Sequence, residues 1–478
     1  MLYIIIPILF FSCQYLVKCD TDLNNANIED SCNQVLSSQM VEEIDNYAHI
    51  VNNIINVAIN GSFKGKTWDE LDKFIVEFGA RFTGTENLER SIDYVLQRSE
   101  ELGLHNVHGE KVKVPRWIRG QETATLLSPW KKDIKILGLG YSVSTPPEGI
   151  IAEAIIVKTL EELKARSSEV SGKIVIYNQE YLSFEYSSEY SWVGATEAAK
   201  FGAVATLIRS VTPFSIYTPH AFIIGYNDSI PKIPAASITV EDVNLLSRMV
   251  ARGKNITIKL VMQEQRLPDI ESRNVVAEIA GTSRPNKVVV VSGHIDSWDV
   301  GQGAMDDGGG AFAAWNSLVL LKTLNLQPKR TIRAIMWTGH EMGIIGAENY
   351  IKEHKSEEND LQLVMESDTG TFLPLGWEVT GSPEVICVLK RITKLMSSMT
   401  PLGVRSPFVA PDIWNWVQAG VPGASLWNQN ERYIWFHHSE GDTMDVEKPE
   451  NLDMATALFA ATAYIVADMS LDLPHSKT

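Results

Sequence analysis

Cysteine is scarce in this chain, with 4 among 478 residues. That excludes a scaffold knitted by disulfides, because such scaffolds are short and dense in cysteine. Positive charge is also in deficit: 42 Lys+Arg stand against 59 Asp+Glu, a formal net charge of −17. Phosphate backbones need a basic face, so nucleic acid is not an expected partner. Long apolar runs are missing after residue 19, so no stable membrane insertion is expected of the body of the chain. The most apolar late stretch, ATALFAATAYIVADM, has helical spacing and reads as a docked terminal helix. Disorder is excluded too, since 45% hydrophobic and 21% charged is ordinary globular composition. At roughly 150 residues per domain, the length allows about two or three.

The one long apolar run comes first. Residues 2–17 (LYIIIPILFFSCQYLV), with Pro7 inside, are shorter than the roughly 20 residues a spanning helix needs. Residues 1–19 therefore read as a secretory signal peptide, which places the protein outside the cell or in the secretory and lysosomal compartments. Cleavage there leaves Cys32 and Cys387, whose pairing the sequence leaves open. Secretion also gives meaning to three sequons, at Asn60, Asn227 and Asn255, as glycosylation sites. Residues 20–44 are polar and read as a linker or propeptide.

Residues 45–115 read mainly as amphipathic helices, such as NLERSIDYVLQRSEELGL. Over 120–265 the pattern changes to short strands with one clear helix, which reads as a separate β-rich inserted module. From 266 to 478 the rhythm is strand, loop, helix. Continuous apolar runs such as Val288–Val291 suit strands buried on both faces. The expected fold class is α/β, a mixed and mostly parallel sheet sandwiched by helices, with residues 45–119 as its N-terminal part. Ligand groups in such folds sit beyond the carboxyl ends of the strands.

Those ends are where the acids and histidines gather. His294 and Asp296 follow VVVVSG, Asp306 lies in GAMDDGGG, Glu341 follows IRAIMWTGH, Asp368 follows LVMES, and His438 lies in WFHHSEGDT. Two histidines and three carboxylates are a donor set for divalent ions of the zinc type. One carboxylate shared between two ions is how binuclear hydrolases are built. Each motif alone is more often a cap or a turn. Five at successive strand ends point to a binuclear metal site.

The segments SGHIDSWDVGQGAMDDGGGAFAAW, TGHEMGIIGAENY, LVMESDTGTFLP, AGVPGASL and FHHSEGDTMD resemble the carboxypeptidase Q family, of the co-catalytic zinc aminopeptidase superfamily. The resemblance runs from about residue 45 to the C-terminus, and the 120–265 block resembles that family's protease-associated insert. It implies a secreted or lysosomal exopeptidase for dipeptides or short peptides, made with a signal and a propeptide, often a homodimer. It implies two zinc ions: His294 and Asp368 on one, Glu341 and His438 on the other, Asp306 bridging. It also implies a cis peptide between Asp306 and Asp307. Asp296 would accept from the far nitrogen of His294 and fix its tautomer. Asp442 would do the same for His438, or is an exposed turn residue.

The resemblance breaks at one position. In the family, the residue before the metal-binding Glu is another Glu, the proton carrier of the reaction. Here it is His340. A zincin His-Glu-x-x-His motif is absent, because residue 344 is Ile. Three readings follow: His340 is a substitute catalytic base, an extra zinc ligand, or the mark of an inactive relative kept as a secreted binding protein. A second departure lies in 401–414 (PLGVRSPFVAPDIW), where three prolines stand in a loop that faces substrate in the relatives.

Overall fold

Val288–Val291 are four consecutive β-branched residues, all buried, within the strand Arg284–His294. In the computed structural model, which describes Cys32, residues 34–407 and residues 410–476, that strand lies inside an eight-stranded sheet. Val289 and Val291 face one apolar core, with the helices Gly309–Thr323 and Pro449–Asp468. Val288 and Val290 face the other, with Tyr350, Ile351 and Trp416. Helices thus cover both faces, which is why the strand reads as an unbroken apolar run.

The sheet order is His105–Ile118, Gln265–Ile279, Arg330–Trp337, Arg284–His294, Leu361–Glu366, Gly423–Asn428, Pro374–Thr380, Gly403–Arg405. The four central strands, Arg330–Trp337 through Gly423–Asn428, pair in parallel. Their carboxyl ends therefore open on one edge, and the loops after them meet there. The fold is the mixed α/β sandwich expected.

Two expectations fail in detail. Residues 105–118 form a long strand antiparallel to Gln265–Ile279 rather than more helix. There Val112, Val114 and Trp117 are buried while Lys111, Lys113, Arg116 and Ile118 are exposed, and that near-alternation overrides the helical habit of the preceding segment. Residues 122–262 build a second eight-stranded sheet with an apolar core on each face. It carries not one helix but Leu160–Ala165, Phe184–Ala199 and Val240–Val250. Phe184–Ala199 buries Ser187, Ser188, Tyr190, Ser191 and Thr196, so no apolar stripe announces it.

The described part of 20–44 packs onto the body of the chain. The helix Ser38–Asn46 buries Met40 and Ile44, and Arg391 Nε donates to Asp45 Oδ1 at 2.7 Å. A disulfide joins Cys32 to Cys387, 355 residues apart, on the buried helix Pro383–Leu395. The signal peptide of 1–19 and the rest of 20–31 lie outside the described residues. Cys387→Ser should lower unfolding stability by about 2–4 kcal/mol, through the freedom returned to the unfolded chain. Urea titration with and without reductant checks this: the gap to wild type should close when both are reduced.

Candidate metal centre

The five strand-end residues meet at one point. His294, fully buried at the end of its strand, places Nε2 3.2 Å from Asp368 Oδ1 and 3.3 Å from Asp306 Oδ1. The other Asp306 oxygen, Oδ2, lies 3.3 Å from His438 Nε2, and His438 Nε2 lies 3.0 Å from Glu341 Oε2. Asp306 thus turns one oxygen to His294 and the other to His438. His294 Nε2, Asp306 Oδ2 and Glu341 Oε1 are buried and have no hydrogen-bond partner. Buried polar atoms are normally satisfied, so a ring of inward-facing donors fits a cation better than it fits a core. Imidazole nitrogens and carboxylates are the donors zinc takes. Burial alone would raise the Asp306 carboxyl, but His437, His294 and His438 hold it well below the usual carboxylate range. Burial pushes Glu341 up, and Asp306 adds to that.

Two supporting acids behave otherwise than expected. His294 Nδ1 pairs at 2.9 Å with the main-chain carbonyl of Asp296, whose carboxylate is 3.9 Å from that nitrogen. The carboxylate instead accepts from Thr83 Oγ1 at 2.6 Å and from the amides of His340 and Glu341 at 3.1 and 3.3 Å. The tautomer of His294 is set by backbone, and Asp296 pins the loop carrying Glu341. Asp442 is buried, not an exposed turn residue, and does not partner His438. It accepts from the amides of Met305 at 2.7 Å and Asp306 at 3.2 Å. Burial, with Asp306 close by, pushes Asp442 up to about 7. His438 Nδ1 pairs with the Ala221 carbonyl of the inserted module at 3.0 Å. The Asp306–Asp307 peptide is cis, and Asp307 Oδ2 accepts from the His294 amide at 2.9 Å.

Arg81 was invisible to pattern reading. It is buried and donates to the carbonyls of Gly79, Ile295, Gln302 and Gly303 at 2.7 to 2.8 Å. Those bonds fold the loop between His294 and Asp306 onto itself. A second unforeseen residue is His437, whose Nε2 is 3.6 Å from Asp306 Oδ2 and whose ring stacks on His438 at 3.4 Å. The doubled histidine in WFHHSEGD was its only signal.

His340 stands beside the half-site of His294 and Asp368. Its ring stacks on that of His294, centroids 3.9 Å apart and planes 4° apart. Nδ1 lies 2.7 Å from Asp412 Oδ2, and Nε2 lies 3.9 Å from Asp368 Oδ2. An ionised carboxylate only accepts, so the Nδ1 proton is fixed and Nε2 is turned toward the metal donors. Burial and His294 push the His340 imidazole down, but Asp412 and Asp368 outweigh them and hold it up at about 10. Asp412 sits in the proline-rich 401–414 loop. Asn60, Asn227 and Asn255 are all exposed, as a glycan acceptor requires.

Known proteins are similar to this chain in sequence and fold. Residues 274–463 match the model of Peptidase family M28. Carboxypeptidase Q of Mus musculus is 48% identical over 92% of this chain and 93% of its own length, and that of Homo sapiens is 47% identical over the same shares. The crystal structure of a Peptidase M28 precursor from Shewanella amazonensis superposes with a TM-score of 0.86 at 28% identity. It covers 91% of this chain and 100% of that one. BSAP, a zinc aminopeptidase from Bacillus subtilis, shares the fold at a TM-score of 0.67 and 19% identity, over 86% of this chain and 97% of its own. The chain therefore belongs to Peptidase family M28, and within it to the carboxypeptidase Q group of zinc peptidases.

Proposed function

We propose that this protein is a secreted or lysosomal zinc-dependent exopeptidase that hydrolyses dipeptides or short peptides, working as a homodimer. The observation that carries the reading is the two-sided Asp306, one oxygen to each half-site. His294 and Asp368 would hold one zinc, Glu341 and His438 the other, and Asp306 both. When bound, the zinc pair polarises the scissile carbonyl and acidifies a water molecule. His340, with its Nδ1 proton fixed by Asp412, presents Nε2 to take the water's proton and return it to the leaving amine. The Cys32–Cys387 disulfide supports an extracytosolic location.

The rival reading is a binding protein without turnover, and one observation favours it. A ring that Asp412 and Asp368 hold protonated has no lone pair to give. Adjacent zinc would oppose that protonation, which is why the peptidase reading is preferred. Metal analysis of the purified full chain tests the shared premise. About two zinc ions per chain are expected; well under one would overturn it. Release of amino acids from a dipeptide panel then separates the two readings.

A further inference from the structure

The short helix Tyr433–Phe436 delivers His438 to the metal centre, and the inserted module holds that segment by its backbone. Three main-chain carbonyls there accept from the module. Ile434 accepts from Thr212 Oγ1 at 3.0 Å, His437 from His220 Nδ1 at 2.7 Å, and His438 from the Ala221 amide at 2.8 Å. A carbonyl only accepts, so His220 carries its proton on Nδ1. His220 is 3% exposed, and its other ring nitrogen, Nε2, is buried without a hydrogen-bond partner. The bond to His437 is therefore the one polar contact the ring makes.

That grip falls on an unusual piece of backbone. His438 has a φ of +58°, in the left-handed region that few residues other than glycine adopt. Consecutive side chains of an extended chain point to opposite faces. Here the rings of His437 and His438 stack instead, and Nε2 of each faces Asp306 Oδ2, at 3.6 and 3.3 Å. The same turn brings His438 Nε2 to 3.0 Å from Glu341 Oε2. His438 Nδ1 gives its proton to the Ala221 carbonyl, so Nε2 keeps the lone pair a metal takes. The module reaches the loop of Glu341 as well: the Tyr141 hydroxyl donates to the carbonyl of Met342, the next residue, at 2.6 Å. His294, in the other half-site, is fixed by the Asp296 carbonyl of its own loop. The module thus braces the half-site of Glu341 and His438.

We infer that His220 is a positioning residue for the half-site of Glu341 and His438: its Nδ1 proton, anchored on the His437 carbonyl, holds the left-handed turn that aims His438 at the metal. His220 has this role only where two zinc ions bind, as proposed for the centre. Zinc competition with a chromophoric chelator on the full chain tests it, with Glu341→Gln marking which binding step belongs to this half-site. His220→Phe keeps an aromatic ring in place and removes the proton. It should weaken that step by roughly 10- to 100-fold, the span of a supporting residue, and leave the other step unchanged. His220→Asn should keep both ions, because its side-chain amide can donate from where Nδ1 stood. A residue that merely filled space would give the opposite order. Undiminished binding of both ions by His220→Phe overturns the assignment, as does loss of that step in His220→Asn, and either variant decides alone if the other does not fold. Well under one zinc in wild type overturns the two-zinc centre and the role of His220 together. About two zinc ions in wild type and in His220→Phe alike overturn the role of His220 alone.

Discussion

His340→Glu is expected to raise kcat/KM for short peptides by roughly 10²- to 10⁴-fold, the span that a positioned general base contributes. The backbone at this position is already held for the purpose: the amides of His340 and Glu341 both donate to Asp296. A glutamate there would reach the half-site of His294 and Asp368 without the bulk of a ring stacked on His294. It would also meet Asp412, which now lies 2.7 Å from His340 Nδ1. Two carboxylates at that distance disfavour joint ionisation, which lifts one of them toward the working range of a base. His340→Ala should fall below wild type, because it removes the imidazole whose Nε2 is turned toward the half-site of His294 and Asp368. Zinc content should be the same in all three proteins, so the comparison isolates proton transfer from metal loading. If wild type already matches His340→Glu, the histidine is a full substitute for the carboxylate. If His340→Ala equals wild type, His340 carries no proton in the reaction.

Much of the sheet was legible in sequence, because its central strands are buried on both faces and the valine run of 288–291 has no other simple reading. The strand ends followed from that, and with them the places where His294, Asp306, Glu341, Asp368 and His438 converge. Partners fixed by long-range folding were not legible. Thr83 and Arg81 approach the centre from the loop between the helices Lys66–Phe78 and Glu86–Glu101, and Ala221 approaches from the inserted module. Nothing local to those residues distinguishes them from ordinary loop positions. Asp296 and Asp442 were picked out for the right neighbourhood and given the wrong bond. A side chain two residues beyond a histidine competes with its own carbonyl for the ring nitrogen, and here the carbonyl won. Asp412 shows a third kind of miss: its role depends on the identity of residue 340, so it becomes visible only once the two are placed in contact.

Asp306→Ala should do more damage than loss of any other acid in the centre, cutting zinc from about two ions per chain to under one and taking peptidase activity to background. Its two oxygens face different partners, Oδ1 toward His294 and Oδ2 toward His438. Loss of Glu341 or Asp368 would strip one half-site and leave the other its histidine and the bridge. Loss of Asp306 strips both and leaves two buried imidazoles without the carboxylate they share. Asp306→Asn is the sharper variant, since it keeps the shape and one carbonyl oxygen while removing the charge. Zinc should still fall, because an amide presents one neutral donor where the carboxylate presents two. Asp442→Asn sets the scale from outside. It holds the amides of Met305 and Asp306 rather than the metal donors, so zinc affinity should fall only by the roughly 10- to 100-fold typical of a supporting residue. Zinc competition with a chromophoric chelator reads all three variants without any turnover. Equal losses for Asp306→Asn and Asp442→Asn would deny Asp306 the bridging place.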